Sequence, residues 1–199
     1  MIDFFHGQLK EAVGKRYLEE KSSREAAHQA IADYLEGRWR EPYARALDEL
    51  PHQNMRARNW QALGGILGDL QFIEVKCQAG MTYDLVADYE SAETAEGVRA
   101  ESQSGLDDFA RFVHAQSHVL ARNAALTFQQ AVNEPDSTAP ARAAHARLEA
   151  GRESRPWFQY VNKPQKRSAC LMTLARLSHV WRSRARPATC ASALLIGFC

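Results

Sequence analysis

The spacing of apolar residues restricts the fold of this chain more than any other feature of the sequence. Over residues 1–150, apolar side chains recur at intervals of three and four positions, which is the period of an α-helix with one buried face. Strand-like alternation is scarce before residue 157. Because each one-sided helix needs a neighbour to cover its apolar face, the pattern predicts an all-α fold of stacked helical hairpins, arranged as an irregular, repeat-like stack.

Local signals predict where individual helices begin and end. Ser22 or Ser23 is predicted to cap a helix that ends at Gly37, and Asn59 is predicted to cap a later one. Between them, an apolar stripe is predicted to run until Pro51, because proline disfavours a helix interior. The stripe predicted for the first of these helices consists of Ala27, Ile31, Tyr34 and Leu35.

Charge divides the chain into two unequal parts. The chain has a net charge of +1, but no acidic residue follows Glu153. Together with the change in pattern, this predicts three segments: a helical linker or scaffold domain at 1–154, an extended segment at 155–174 and a basic, disordered tail at 175–199. A short strand is predicted at 170–174. The basic residues after Glu153 are Arg155, Lys163, Lys166, Arg167, Arg176, Arg182, Arg184 and Arg186.

Motifs that carry catalysis or cofactor binding are not found. The glycines at 64, 65 and 68 lack the Lys-Ser/Thr of a phosphate-binding loop, and His114 and His118 lack the glutamate of a zinc-protease helix. Asp84 and Asp88 share a helix face, but carboxylates on a surface helix are usually solvated. The sequence therefore predicts no enzyme, no catalytic residue, no metal, no cofactor and no small-molecule substrate.

Aromatic residues after the helical part are the candidate partner contacts. Trp157, together with Trp39 and Trp60, has the size of a core anchor, and aromatic side chains also supply much of the energy of protein interfaces. Trp157, Phe158 and Tyr160 are therefore predicted to contact a protein partner or a second copy of the chain.

Several short stretches, taken in order, carry a family resemblance. They are FFHGQL at 4–9, HQAIADYL at 28–35, RALDELP at 45–51, WQAL at 60–63, LGDLQF at 67–72, EVKCQAG at 74–80, YDLVADY at 83–89, RPW at 155–157 and NKP at 162–164. This order resembles the helical segment that follows the NACHT or NB-ARC ATPase and winged-helix modules of STAND-type signalling ATPases. A WD-repeat propeller commonly follows that segment, and residues 170–174 resemble the first strand of its first repeat.

The resemblance implies a non-catalytic connector that joins a nucleotide-driven switch to a sensor propeller. The Walker motifs are absent, and the Gly-His of a propeller repeat does not follow residue 174. We therefore expect a fragment of a larger signalling protein, whose tail has left the reading frame near residues 175–182. A propeller-like continuation in another frame of the gene would support this hypothesis, and its absence would end it.

A second function class stays open at this point. The arginines at 182, 184 and 186 could bind phosphate backbones, which would make the chain a small nucleic-acid-binding protein, although interleaved aromatic residues are lacking. No apolar run reaches the ~20 residues that span a bilayer, and the four cysteines are widely spaced. The expected location is the cytoplasm, with protein partners and no membrane contact.

Overall fold

The computed structural model describes residues 7–17, 19–41, 43–95 and 103–163. Within these ranges every regular element is a helix, which confirms the predicted all-α fold for the described part of the chain. The helices are α1 (Gly7–Tyr17), α2 (Lys21–Glu36), α3 (Ala44–Ala57), α4 (Trp60–Leu67), α5 (Leu70–Gln78), α6 (Thr82–Thr94), α7 (Gln103–Leu120), a 3-10 turn (Ala124–Leu126), α8 (Thr127–Val132) and α9 (Ala139–Glu149). The strand predicted at 170–174 and the tail at 175–199, with its arginine cluster, lie outside the described residues.

The helices pack against one another around one central helix. α2 packs along α3, α6 packs on α7, and α9 packs on both α7 and α8. The central helix α5 contacts α3, α4, α6, the 3-10 turn, α8 and α9. Its Phe72 is fully buried and meets the ring of Trp39 edge to face, with centroids 5.3 Å apart. The apolar core therefore forms around α5. This arrangement is expected because a helix with one apolar face must bury that face against its neighbours.

Some helix ends follow the predicted signals and others do not. The Asn59 side chain accepts a hydrogen bond from the N–H of Ala62 at 3.1 Å, which confirms it as the cap of α4. The capping prediction for Ser22 and Ser23 was wrong, because both lie in the first turn of α2, which follows Glu20. The prediction that the α3 stripe ends at Pro51 was also wrong, because Pro51 is buried within α3 and the helix continues past it.

Two glycines end helices by entering the left-handed region. Gly80 (φ +80°) ends α5, and the N–H of Met81 donates to the carbonyl of Lys76 at 3.1 Å, as in a Schellman turn. Gly151 (φ +63°) ends α9 in the same way, with Arg152 bonded to the carbonyl of Arg147 at 3.0 Å. Residues with a Cβ adopt this conformation only with strain, so both turns favour glycine.

The face that α2 buries differs from the predicted stripe. Ala32 and Leu35 are buried, whereas Ile31 and Tyr34 are exposed. The ring of Tyr34 instead lies under the guanidinium of Arg38, 4.2 Å from its centroid. Helical spacing alone does not decide which of two adjacent apolar rows meets the neighbouring helix, and here α3 covers the row that contains Leu35.

A buried ion pair joins α5 to α6. The Lys76 side chain is 0% exposed, and its Nζ donates to Oδ2 of Asp88 at 2.5 Å. Burial raises the pKa of Asp88 to about 6, although Lys76 opposes this rise. The structure therefore gives one of the two predicted surface carboxylates a buried partner, whereas Asp84 is exposed.

We expect Lys76→Met to lower the free energy of unfolding by about 3 kcal/mol at pH 7, because it leaves the buried carboxylate of Asp88 without a counter-charge. The double change Lys76→Met with Asp88→Leu should recover most of that loss, since it removes both charges. Urea unfolding followed by circular dichroism measures both effects, and Asp84→Asn, on α6 with Asp88, is the matched control. A double variant as unstable as Lys76→Met would contradict this account.

The raised pKa of Asp88 also makes the stability of the fold depend on pH. Because the folded pKa of Asp88 is about 6 and the ordinary value is 3.8, the folded chain binds this proton more tightly than the unfolded chain does. The stabilisation from this proton is complete below pH 3.8 and is lost as the pH rises through about 6. Asp88→Asn should remove this slope from the stability profile.

Candidate protein-interaction surface

The segment that follows α9 lies over α8 without regular secondary structure. Gly151 ends α9 in a left-handed turn, and residues 155–163, called the strap from here on, then run across α8. Of the segment predicted at 155–174, the structure describes residues 155–163, which contain no helix or strand. Two separate groups of polar side chains join this segment to the helices.

The first group is a pair of side-chain amides, Gln129 and Asn133, which we call the amide clamp. Oε1 of Gln129 accepts the N–H of Phe158 at 2.8 Å, while its Nε2 donates to the Phe158 carbonyl at 2.7 Å. Nδ2 of Asn133 donates to the same carbonyl at 2.9 Å, and its Oδ1 accepts the N–H of Tyr160 at 2.8 Å. An amide supplies one donor group and one acceptor, so the clamp bonds the strap as a neighbouring strand would.

The second group is an ion-pair cluster of Glu74, Arg147, Glu153 and Arg155. Nη1 and Nη2 of Arg155 contact the two carboxylate oxygens of Glu74 at 2.6 and 3.2 Å. Nε and Nη2 of Arg155 also donate to the two oxygens of Glu153, each at 2.8 Å. Arg147 contacts Glu74 at 3.4 Å and Glu153 at 3.0 Å. The planar guanidinium of Arg155 therefore bridges α5 and the start of the strap with bidentate geometry.

Hydrogen bonds within this cluster shift the pKa values of Glu153 and Arg155. The Arg155 side chain lowers the pKa of Glu153 to about 2 by donating to it, and the positive charge of Arg147 acts in the same direction. The same hydrogen bonds, from Glu153 and then Glu74, raise the pKa of Arg155. Glu153 and Arg155 are thus charged at neutral pH. The Glu74 side chain that Arg155 also contacts is only 10% exposed.

The three predicted contact residues lie together on the strap, and their environments differ. Trp157 is 36% exposed and meets the ring of Phe128 edge to face, with centroids 6.1 Å apart. Phe158 and Tyr160 are 80% and 66% exposed, and the neighbouring Val161 is 98% exposed. Trp157 therefore anchors the strap in part, whereas Phe158 and Tyr160 present apolar surface to the solvent.

The remaining candidate residues are not gathered into a reactive site. His114 and His118 are both exposed on α7. Within the described ranges, no group of three or more His, Cys, Asp or Glu side chains is placed to hold a metal ion. The glycines of α4 line an open groove of about 500 Å³ against Leu106 and Phe109. Gly68 is tightly placed there, because a Cβ would lie 2.9 Å from the carbonyl oxygen of Gly64.

Sequence reasoning missed the residues that hold the strap. Gln129 and Asn133 are four positions apart, a spacing that places them on one helix face, but nothing in the sequence identifies the backbone they bind. The partners of Arg155 could not be found by proximity either, because Glu74 is 81 residues away. Only the contact between Arg155 and Glu153 is local.

Comparison with known protein families identifies the helical part of the chain. The model of the APAF-1 helical domain matches residues 49–152, just over half of the 199 residues. The chain belongs to the APAF-1 helical domain family. This match covers α4–α9 entirely and ends just before the strap, and it agrees with the resemblance to STAND-type proteins seen in the sequence.

No curated protein and no solved structure matches the chain. Family membership therefore identifies a helical part of an APAF-1-like STAND protein, and this domain is a non-catalytic region of such proteins. Among the described residues, no helix is both long and apolar enough to cross a membrane.

We expect Glu153→Gln to lower the free energy of unfolding by about 2 kcal/mol at pH 6, because it removes the charge from two hydrogen bonds of Arg155. The folded pKa of Glu153 is about 2 against an ordinary 4.5, so its stabilisation is complete above pH 4.5 and is lost as the pH falls through about 2. The stability gap between variant and native chain should shrink over that interval. Chemical unfolding at several pH values measures it.

Glu149→Gln is the matched control, because Glu149 is exposed at the end of α9. It should change stability by less than about 0.5 kcal/mol at every pH. A gap for Glu153→Gln that stays constant from pH 6 to pH 2 would contradict the role of its charge.

Proposed function

We propose that the chain is a helical connector and scaffold of a STAND-type signalling protein, acting through protein–protein contacts. In this role residues 1–154 form the linker domain, and the segment at 155–174 leads from it toward a WD-repeat propeller. In this role the chain does not itself supply the switch chemistry. It passes the orientation of a nucleotide-driven module to the module that follows the strap.

The attachment of the strap carries this proposal. A connector transmits rotation only if the chain that leaves it is fixed to the domain. Here Arg155 joins the strap to the central helix α5, and the amide clamp holds Phe158 and Tyr160 to the end of α8. Lys163 adds a further contact, with its Nζ 2.6 Å from Oδ1 of Asp136. The strap is thus fixed at three successive points.

The exposed aromatic residues support the protein-contact part of the proposal. Phe158, Tyr160 and Val161 form a short run of large apolar side chains on the solvent side of a fixed segment. Aromatic groups on rigid backbone supply interface energy without a large loss of conformational entropy. We infer that a protein partner covers this run in the assembled molecule.

The rigidity of the strap can be measured directly. Spin labels at Glu36→Cys and Val161→Cys, in a chain whose cysteines at 170, 190 and 199 are replaced by serine, should give one narrow distance distribution in double electron–electron resonance. Cys77 can stay, because it is buried and burial raises the pKa of its thiol. We expect Arg155→Ala to broaden the distribution, because it frees the first attachment point.

Arg152→Ala is the matched control, since Arg152 lies three residues earlier with its side chain exposed. It should leave the distribution unchanged. A native chain with a distribution as broad as that of Arg155→Ala would overturn the connector proposal.

The partner-contact residues can be tested with an apolar dye. We expect the native chain to enhance the fluorescence of anilinonaphthalene sulfonate, and Phe158→Ser with Tyr160→Ser to reduce that signal by about half or more, because exposed apolar patches bind such dyes. Tyr83→Ser is the control, because Tyr83 is 67% exposed, nearly the same as Tyr160 at 66%, but lies on α6. Equal losses from both changes would count against a contact role for the strap.

A further inference from the structure

An exposed hydroxyl group lies beside the ion-pair cluster that attaches the strap to the domain. Ser154 is exposed and stands between Glu153 and Arg155, which both belong to that cluster. Residues 152–154 form no helix or strand, and the Ser154 hydroxyl makes no hydrogen bond to any described residue. A modifying enzyme can therefore reach this side chain without unfolding a helix.

We propose that Ser154 is a phosphorylation site, and that its phosphate releases the strap by drawing Arg155 away from Glu74. This rests on the proposed function, because it names how the attachment of the connector is regulated. In the reaction, which a serine kinase catalyses, Oγ of Ser154 attacks the γ-phosphorus of ATP. The bond from that phosphorus to ADP breaks, and the hydroxyl proton passes to the catalytic base of the kinase.

The charge next to Ser154 suits a kinase with an acidic binding groove. Arg152 lies two positions before Ser154 and Arg155 lies one position after it. Arg152 is exposed, and its side chain makes no ion pair or hydrogen bond with any described residue. Ser137 is also exposed outside a helix, but it follows the acidic Asp136. Electrostatic complementarity therefore favours Ser154 over Ser137 for such an enzyme.

A phosphate at Ser154 upsets the charge balance of the cluster. The cluster holds two acidic side chains, Glu74 and Glu153, and two basic ones, Arg147 and Arg155. Phosphoserine adds roughly 1.5 to 2 negative charges and three acceptor oxygens at neutral pH. Because these oxygens lie next to Glu153, they compete with the two acidic side chains for the same guanidinium groups.

Arg155 is the cation that the phosphate takes. It directly follows Ser154, and its side chain is 37% exposed, so a phosphate can reach the guanidinium from the solvent side. A guanidinium binds phosphate in bidentate geometry, and the larger charge of phosphate makes this pair stronger than a pair with a carboxylate. Arg152 competes less well, because an ion pair of a fully solvated side chain contributes little. Glu74 keeps its contact with Arg147 at 3.4 Å after Arg155 leaves.

Loss of the contact between Arg155 and Glu74 frees the strap at one end only. The amide clamp still holds Phe158 and Tyr160 to α8. The chain between α9 and the clamp loses its link to the central helix, so the strap takes up a wider range of positions. Phosphorylation thus weakens the transmission of rotation without detaching the strap from the helices.

A kinase reaction on the folded full chain tests the choice of site. The probe is ATP with the catalytic subunit of cyclic-AMP-dependent protein kinase, a serine kinase that selects arginine shortly before its target. Peptide mass spectrometry should show phosphate at Ser154 at an initial rate at least about tenfold above that at Ser137. Arg152→Ala should lower the rate at Ser154, whereas Arg122→Ala, a change of an exposed arginine after α7, should not.

Phosphoserine inserted at position 154 during translation tests the release of the strap. With the spin-label pair at positions 36 and 161, the distance distribution should broaden toward that of Arg155→Ala. Phosphoserine at position 22 is the matched control, because Ser22 is exposed in the first turn of α2, and it should leave the distribution narrow. In the Arg155→Ala background, phosphoserine at 154 should cause no further broadening, since both changes remove the same contact.

Phosphorus NMR shows which cation holds the phosphate. A bound guanidinium stabilises the doubly charged phosphate, so the pKa of phosphoserine at position 154 should be lower in the native chain than in Arg155→Ala. Arg152→Ala should leave that pKa nearly unchanged.

Four outcomes would overturn the proposal. They are equal kinase rates at Ser154 and Ser137, a narrow distribution with phosphoserine at 154, equal broadening by phosphoserine at 22, and a phosphate pKa that Arg155→Ala does not change. The connector proposal is tested separately, by the width of the distribution in the unmodified chain. A narrow distribution that phosphoserine at 154 leaves unchanged would therefore reject the release mechanism and keep the connector.

Discussion

The contact between Arg155 and Glu74 joins the strap to the centre of the helical domain, and the candidate surface depends on it. Glu74 lies on α5, which touches six of the other elements, and its side chain is nearly buried. A carboxylate in that position needs cations, because its charge loses hydration there. Arg155 and Arg147 supply them, so satisfying one buried group also fixes where the chain leaves α9.

The same helix carries a second buried charge, on its other side. Lys76 is paired with Asp88 of α6, while Glu74 faces the cluster formed with α9 and the strap. Buried ion pairs add less stability than apolar packing of the same volume, but separating their partners is costly. The two pairs therefore penalise arrangements that detach α5 from α6 or from the strap. For a connector, a defined relation between parts matters more than a large total stability.

The sequence predicts the helices well because their information is local. Asn59 caps α4 as predicted, since capping depends only on the next three residues. The capping prediction failed at Ser22 and Ser23, because α2 begins at Lys21 and both serines lie in its first turn. Long-range features were less accessible. Whether α2 buries the row of Tyr34 or the row of Leu35 depends on the direction from which α3 packs against it. The spacing of residues within α2 carries no information about that direction.

The candidate site was predictable in part. The aromatic residues of the strap are conspicuous in a segment that lacks helical spacing, and the structure places Phe158 and Tyr160 on the surface. Their attachment could not be predicted, because an amide side chain binds backbone of any sequence. Gln129 and Asn133 meet a segment 25 to 29 residues further along the chain, and nothing in either stretch identifies the other.

The distance along the chain between Glu74 and its cations has a consequence during synthesis. Arg147 and Arg155 follow Glu74 by 73 and 81 residues, so at ribosomal speeds of about 5–20 residues per second Glu74 is made on the order of ten seconds before Arg155. Until these arginines are made, the carboxylate of Glu74 has no cation to pair with. It therefore has to stay hydrated during that time. Final closure around α5 must therefore wait until Arg155 has left the exit tunnel, which makes attachment of the strap the last step in assembling the helical domain.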